Sequence, residues 1–324
     1  MQEFYFLKVK IIIKRTTFFD WHCNCFINNQ IIEKRMLLDP ECIPCIINQA
    51  NNAARLFTNG NTELQYKLVK AACAMVLSIN EDFTAPKFSS VIQSLIEKDL
   101  GIKNPYQKLK EENLRKVKRF IPYLQTMLEN SDDKIEMAIR AAIAGNTIDY
   151  GANPKFNIED EVNRITGNHI DTNSLRNFES DLENASSILY IGDNFEEALF
   201  DKILLKQILP KRIVFAVRSK AILNDITYTD AKQLGIDRLC DIIESGSEIT
   251  GTDMEQCNPE FKDLFENADM VISKGQGNFE TLMNEDRSIY FLFKVKCEAI
   301  ARRCGLPVGT SALYLNQKKM ENKL

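Results

Sequence analysis

The stretch Ile188-Leu189-Tyr190-Ile191-Gly192-Asp193-Asn194 decides the fold. Four apolar residues in a row are too few for a helix and fit a strand buried on both faces. Glycine and two turn-forming polar residues then stop the run abruptly. A segment free of Gly and Pro, Phe195 to Leu209, follows with crossover-helix length and is closed by Pro210, although its polar residues do not keep to one face. Arg212-Ile213-Val214-Phe215-Ala216-Val217 is a second buried strand. Met270-Val271-Ile272-Ser273 and Ile289-Tyr290-Phe291-Leu292-Phe293 supply two more. Short apolar strands alternating with helices predict an α/β/α sandwich around a Rossmann-like, mostly parallel sheet.

Upstream, the periodicity is helical. Leu64, Leu68, Ala72, Met75, Val76 and Ile79 fall three and four apart, as do Leu114, Val117, Ile121, Leu124 and Leu128, where Pro122 should interrupt the helix. Asp133 to Ala144 is a third, alanine-rich candidate. The expected organisation is an extension over 1–35, a mainly helical domain over 36–180, an α/β domain over 181–316 and a tail over 317–324. A natural start is read at Met36, and the polar Asn168 to Asn184 is the expected linker.

Composition narrows the function. The chain has 324 residues, 44% apolar and 27% charged, with a net charge of -4. No general basic surface invites nucleic acid, and the lysines and arginine between the apolar stretches of residues 1–35 leave no membrane-spanning run. Nine cysteines, an odd number without a secretion signal, point to a reduced, cytoplasmic protein. With only two histidines, His22 and His169, a metal site elsewhere must use carboxylates, amides or thiolates. The oligomeric state stays open.

Ligands of open parallel sheets sit beyond the carboxyl ends of the strands. Asp193-Asn194 follow the first strand there, Asn224-Asp225-Ile226-Thr227 come shortly after the second, and Lys274-Gly275-Gln276-Gly277-Asn278 follow the third. Carboxylate and amide oxygens suit a hard divalent ion, which would activate water and neutralise a phosphoryl group. Lys274 offers a point charge, and Gly275 and Gly277 let backbone N–H groups approach phosphate oxygens. Each feature has a plainer reading: Asp193 as a helix cap, Asn224-Asp225 as a turn, Lys274 as a solvated loop residue. Gly-Gln-Gly is no P-loop, because no Gly-Lys-Ser/Thr follows.

Taken in order, these strings resemble the damage-control phosphatases, once called domain of unknown function 89. The resemblance is carried by Ile191-Gly192-Asp193-Asn194, by Val217-Arg218 with Ile222-Leu223-Asn224-Asp225-Ile226-Thr227, and by Ser273-Lys274-Gly275-Gln276-Gly277-Asn278-Phe279-Glu280. Ala144-Gly145-Asn146-Thr147-Ile148-Asp149-Tyr150-Gly151 and Phe293-Lys294-Val295-Lys296-Cys297 with Gly305-Leu306-Pro307-Val308-Gly309 extend it over residues 36–315. The resemblance implies a phosphatase of small phosphorylated metabolites (sugar phosphates, nucleotides or related damaged compounds) that uses Mn2+, Co2+, Ni2+ or Mg2+. It implies Asp193, Asn194 and Asp225 as metal ligands, not Asp230, and Lys274 as a phosphate-facing lysine that completes a catalytic set with Asp193 and Asn194. Asn146, Asp149, Arg218, Gly275, Gly277 and Asn278 would line the substrate pocket. Water attack and a covalent aspartyl-phosphate through Asp193 are both compatible with this set. Arg218-Ser219-Lys220-Ala221 departs from the family's usual Arg-Gly-Gly-Pro, which leaves the shape of that loop open.

Cys42-Ile43-Pro44-Cys45 is similar to the Cys-X-X-Cys near the start of the microbial-type branch. Its readings are packing, a redox pair or a metal pair. Two rival functions stand beside the phosphatase: an S-adenosylmethionine-dependent carboxyl methyltransferase and a non-catalytic metabolite-binding protein. Gly-Asp-Asn after the first strand, in place of a glycine-rich loop, speaks against the methyltransferase.

Overall fold

The computed structural model describes residues 38–79, 83–145 and 170–317, all within one compact unit spanning residues 35–324. Strands β1 (Ser187–Ile191), β2 (Arg212–Val217), β3 (Asp241–Glu244), β4 (Met270–Lys274), β5 (Ile289–Lys294) and β6 (Ser311–Asn316) form one sheet in the order β3-β2-β1-β4-β5-β6. The first five are parallel and β6 runs antiparallel to β5. The strand order reverses between β1 and β4, the place where open α/β sheets bind ligands.

Alternation along the strands builds two cores. Ile188, Tyr190, Ile213, Phe215, Met270, Ile272, Tyr290 and Leu292 face one side, against α6 (Lys134–Gly145), α7 (Thr172–Asn184) and α8 (Ala198–Ile208). Leu189, Ile191, Val214, Val271, Phe291 and Phe293 face the other, against α10 (Pro259–Asn267), α11 (Gln276–Leu282) and α12 (Glu298–Cys304). Burial on both faces is why these strands read as continuous apolar runs. The α/β/α sandwich expected from the sequence is therefore present, with a helical N-terminal part beside it.

That part begins with α1 (Cys42–Phe57), α2 (Thr62–Val76) and α3 (Ala85–Leu100), which bury Ile46, Ala50, Leu68, Ala72, Phe88, Ile92 and Ile96 together. The chain then breaks between α4 (Gln107–Val117) and α5 (Ile121–Glu129), with Pro122 in the first turn of α5. Proline fits there because its missing N–H has no intrahelical acceptor. Leu114, Val117 and Leu124 join the same core as α6 and the sheet, so apolar packing runs continuously across residue 180.

Two expectations from sequence need correction. Most of the supposed linker is α7, capped by Asp171, whose Oδ2 accepts from Ser174 N–H at 2.8 Å. Leu175, Phe178 and Leu182 are its buried stripe, three apolar positions in a run of otherwise polar residues. Strands β3 and β6 also went unread: β3 is a four-residue edge strand with exposed acidic ends, and β6 closes the opposite edge. No helix among the described residues is long and apolar enough to cross a membrane.

Candidate active site

Gly192 is placed by lack of space. A Cβ there would sit 2.8 Å from the Phe215 ring, so only glycine lets the chain turn off β1 so close to β2. The next two residues are then fixed from the β2 side. Ile226 N–H donates to Asp193 O at 2.8 Å, Phe195 N–H donates to Asn224 O at 2.8 Å, and Asn194 bridges Asp225 in antiparallel fashion. Two segments more than thirty residues apart thus bring Asp193, Asn194 and Asp225 side by side, each less than a tenth exposed.

Arg218, at the end of β2 and 1% exposed, ties the centre together. Its Nε donates to Asp225 Oδ2 at 2.8 Å, its Nη2 lies 3.8 Å from Asp193 Oδ1 and 3.0 Å from Asn278 Oδ1, and its Nη1 reaches Thr252 Oγ1 at 3.3 Å. One guanidinium touching both carboxylates means that the two share a common centre. Asn278 is oriented in turn: its amide nitrogen donates to Gly192 O at 3.1 Å and Lys274 O at 2.7 Å.

Behind Asn194 lies a second layer that sequence reasoning missed. Glu197 and Asp201, at the start of α8, are fully buried and both engage Lys274: Asp201 Oδ1 at 2.8 Å and Glu197 Oε1 in a shorter contact. Tyr190 OH donates to Asp201 Oδ1 at 2.8 Å. Close approach of α6 makes room for this layer, since a Cβ on Gly145 would lie 3.0 Å from Glu197 Cγ. Lys110, 1% exposed, joins α4 to the site by donating to Asp225 O at 3.0 Å and Asp230 Oδ2 at 2.6 Å. Asp230 also closes a capping box with Thr227 at α9 (Tyr228–Gln233), so its carboxylate is occupied there.

Lys274 is within the buried layer. Gly275, at φ 80°, donates its N–H to Leu292 O at 3.0 Å, and Gly277 opens α11 beside it. Asn146 and Asp149 lie outside the described residues, as does His169. Cys42 and Cys45 sit in the first turn of α1 and border a different cavity, together with Cys297. The Arg218-Ser219-Lys220-Ala221 loop manages without the family's glycines: Ser219 Oγ accepts from Gly246 N–H at 2.7 Å, and Gln93 from α3 clamps Ala221 O at 2.8 Å and Leu223 N–H at 2.6 Å. Leu223 holds φ 45°, a left-handed conformation that the Gln93 clamp sustains.

Electrostatics follow from burial. Asp193 is held well above the usual carboxylate range, first by desolvation and then by repulsion from Glu197 and Asp225, against the pull of Arg218 and Lys296. Burial pushes Asp201 up to about 6 despite Lys274, and Glu196 up to about 7 despite its Asn113 partner. Desolvation opposes the charge on Lys274, but Asp201 and Glu197 outweigh it and raise its pKa. Four carboxylates (Asp193, Glu197, Asp201, Asp225) face two cations (Arg218, Lys274), a formal excess of two negative charges among these six side chains. Lys296, half-buried just past β5, is a further cation acting on Asp193. Among the described residues no three His, Cys, Asp or Glu side chains form a ready metal cluster. The donors that converge here are two carboxylates and one amide, hard oxygens that fit a Mg2+-like or Mn2+-like ion keeping open positions.

An α/β protein with a buried, arginine-bridged acidic centre at the strand switch point is the class these features define. A sequence model of the damage-control phosphatase ARMT1-like domain matches residues 38–312, and the chain belongs to that family. It is 35% identical over 289 residues to an uncharacterised protein of Methanocaldococcus jannaschii, covering 85% of this chain and 94% of that one. A damage-control phosphatase of Pyrococcus horikoshii is 30% identical over 291 residues, with 88% and 100% covered. The crystal structure of a DUF89 family protein from the same organism aligns with a TM-score of 0.76 at 29% identity, over 87% of this chain and all of that one.

Proposed function

We propose that this protein is a divalent-metal-dependent phosphatase that hydrolyses phosphate monoesters of small metabolites. The observation that carries the reading is the convergence of two buried carboxyl groups and one amide, Asp193, Asp225 and Asn194, on a common centre, a hard-oxygen donor set that suits a divalent cation. The name of the Pyrococcus horikoshii relative points the same way. Asp193, Asn194 and Asp225 would hold the ion, which supplies, when bound, an activated water and charge neutralisation at phosphorus.

The chain's own contribution is positioning. Arg218 fixes Asp225 with a charged hydrogen bond and is itself held by Asn278 and Thr252, so the Asp225 carboxylate has one orientation. Lys296, whose field reaches Asp193, is the half-buried cation suited to meet phosphoryl oxygens as charge develops on them. Asn146 and Asp149 are assigned to the pocket wall on the family resemblance.

The test is a phosphate-release screen over sugar phosphates, nucleotides and phosphopantetheine-like compounds, with Mg2+, Mn2+, Co2+ and Ni2+ supplied separately to chelator-treated protein. Release that requires an added ion is the expected outcome. Equal release without any ion defeats the metal assignment, and no release under any condition defeats the phosphatase reading.

A further inference from the structure

The buried Lys274 has no obvious part to play at a phosphate. Its Nζ is bracketed by Glu197 and Asp201, and all three side chains are completely buried. The other oxygen of Glu197, Oε2, accepts from Asn194 Nδ2 at 3.1 Å, and the same Nδ2 donates to Asp193 Oδ2 at 3.1 Å. The NH2 of the amide thus donates to both carboxyl groups at once. Both amide protons are therefore occupied, and Oδ1 is the one Asn194 side-chain atom that can ligate a cation.

A continuous line of partners runs through the core from Tyr190 OH to Asp201, Lys274, Glu197 and Asn194, and ends on Asp193. Its far end is anchored in strand β1, and its middle joins α8 to the end of β4. Lys274 pins one oxygen of Glu197, which leaves the other directed at the Asn194 amide.

We infer that Lys274 and Glu197 are positioning residues for the metal centre: Lys274 holds Glu197 in place, and Glu197 turns the Asn194 amide so that Oδ1 faces the ion. This inference rests on the phosphatase reading above, deepens it, and removes Lys274 from the phosphate. It does not require Lys274 to touch substrate.

The sign of one measurement separates this role from simple electrostatics. Removing a cation near a metal centre should tighten metal binding on Coulomb grounds alone. Loss of positioning should weaken it. The experiment titrates full-length wild type, Lys274→Met, Asn194→Ala and the Lys274→Met/Asn194→Ala pair with Mn2+, read from the signal of free Mn2+ by electron paramagnetic resonance. Phosphate release is measured in parallel at saturating Mn2+. We expect Lys274→Met to weaken Mn2+ at least tenfold with KM for the phosphoester unchanged, and to add nothing in the Asn194→Ala background.

Unchanged or tighter Mn2+ binding overturns the inference. So does a raised KM at unaltered Mn2+ affinity, which would return Lys274 to the phosphate. Should Lys274→Met fail to fold, the charge-balanced Lys274→Met/Glu197→Met variant decides: at least fivefold weaker Mn2+ binding supports positioning, and wild-type affinity refutes it. Wild-type protein that binds no Mn2+ overturns the metal reading itself and this inference with it, a result distinct from every variant outcome.

Discussion

The centre around Asp193 and the cavity bordered by Cys42, Cys45 and Cys297 are two collections of ionisable groups in the same chain, and they have opposite chemistry. At the first, burial meets counter-charge: Arg218 and Lys274 pair with carboxylates inside the protein. The second is a cavity of about 120 Å3 lined by Leu38, Ile46, Ala299 and Ile300 beside the thiols. There, desolvation pushes Cys42 up to about 11, and the Glu280 carboxylate adds to the effect. Burial raises the pKa of acids in both places. What differs is the pairing: Arg218 and Lys274 contact carboxylates of the first, whereas Arg303, at the border of the second, does not offset the burial of Cys42. The charged centre gains field strength from burial, while Cys42 is left as a small apolar packing group at neutral pH.

The comparison breaks first at its charged end. Asp193→Ala removes one of the two carboxylates facing the proposed ion, and phosphate release should fall at least about a hundredfold, the scale of losing several kcal/mol of charge stabilisation. Its far-ultraviolet circular dichroism should match wild type, since the loop is held through backbone bonds such as Ile226 N–H to Asp193 O. Residual activity near wild type would show that the centre is not where the chemistry occurs. Arg218→Met tests the counter-charge. With the guanidinium gone, Asp225 is buried beside an apolar side chain, a situation that costs about 3–5 kcal/mol. A urea unfolding midpoint equal to wild type would mean that Arg218 does not hold the centre.

The charged centre was partly legible in the sequence, and the limits have physical causes. Asp193, Asn194 and Asp225 stood out because they follow apolar runs that can only be strands, and the strand switch point then supplies their meeting place. Glu197 and Asp201 did not stand out, because acidic residues at the start of a helix normally face water and favour its dipole. The one available signal was that Phe195 to Leu209 refused to segregate its polar residues. That irregularity marks the side of α8 that carries Glu197 and Asp201 into the core. Lys110 was hidden likewise: among Lys108, Glu111 and Glu112 it looks like part of a solvated face, yet it is sealed against Asp230 beneath the Phe195 ring. Strand β3 was illegible because an edge strand need not be apolar.

Gly192→Ala sharpens the comparison without altering any charge. Its added Cβ would overlap the Phe215 ring at 2.8 Å and press on Ile226, so the turn into Asp193 must shift. Overpacking of this kind costs about 1–3 kcal/mol. Phosphate release should fall with stability, because the displaced backbone carries two of the proposed ligands. A variant with wild-type melting temperature and activity would show that the turn has slack.

The smallest effect tests the thiol side, and its sign follows from the direction of the pKa shift. A thiol raised to about 11 is protonated below that pH, so at pH 8 only about one Cys42 in a thousand is thiolate, the form that reacts with alkylating agents. Iodoacetamide at pH 8 should therefore label the exposed Cys45 and Cys73 well before Cys42, and peptide mass spectrometry resolves the three sites. Raising the pH should speed Cys42 labelling about tenfold per unit until it levels off near 11, provided that the fold persists. Rapid labelling of Cys42 at pH 8 would mean that a cation stabilises its thiolate after all. The two regions would then share one electrostatic logic, and the contrast between them would fail at its apolar end.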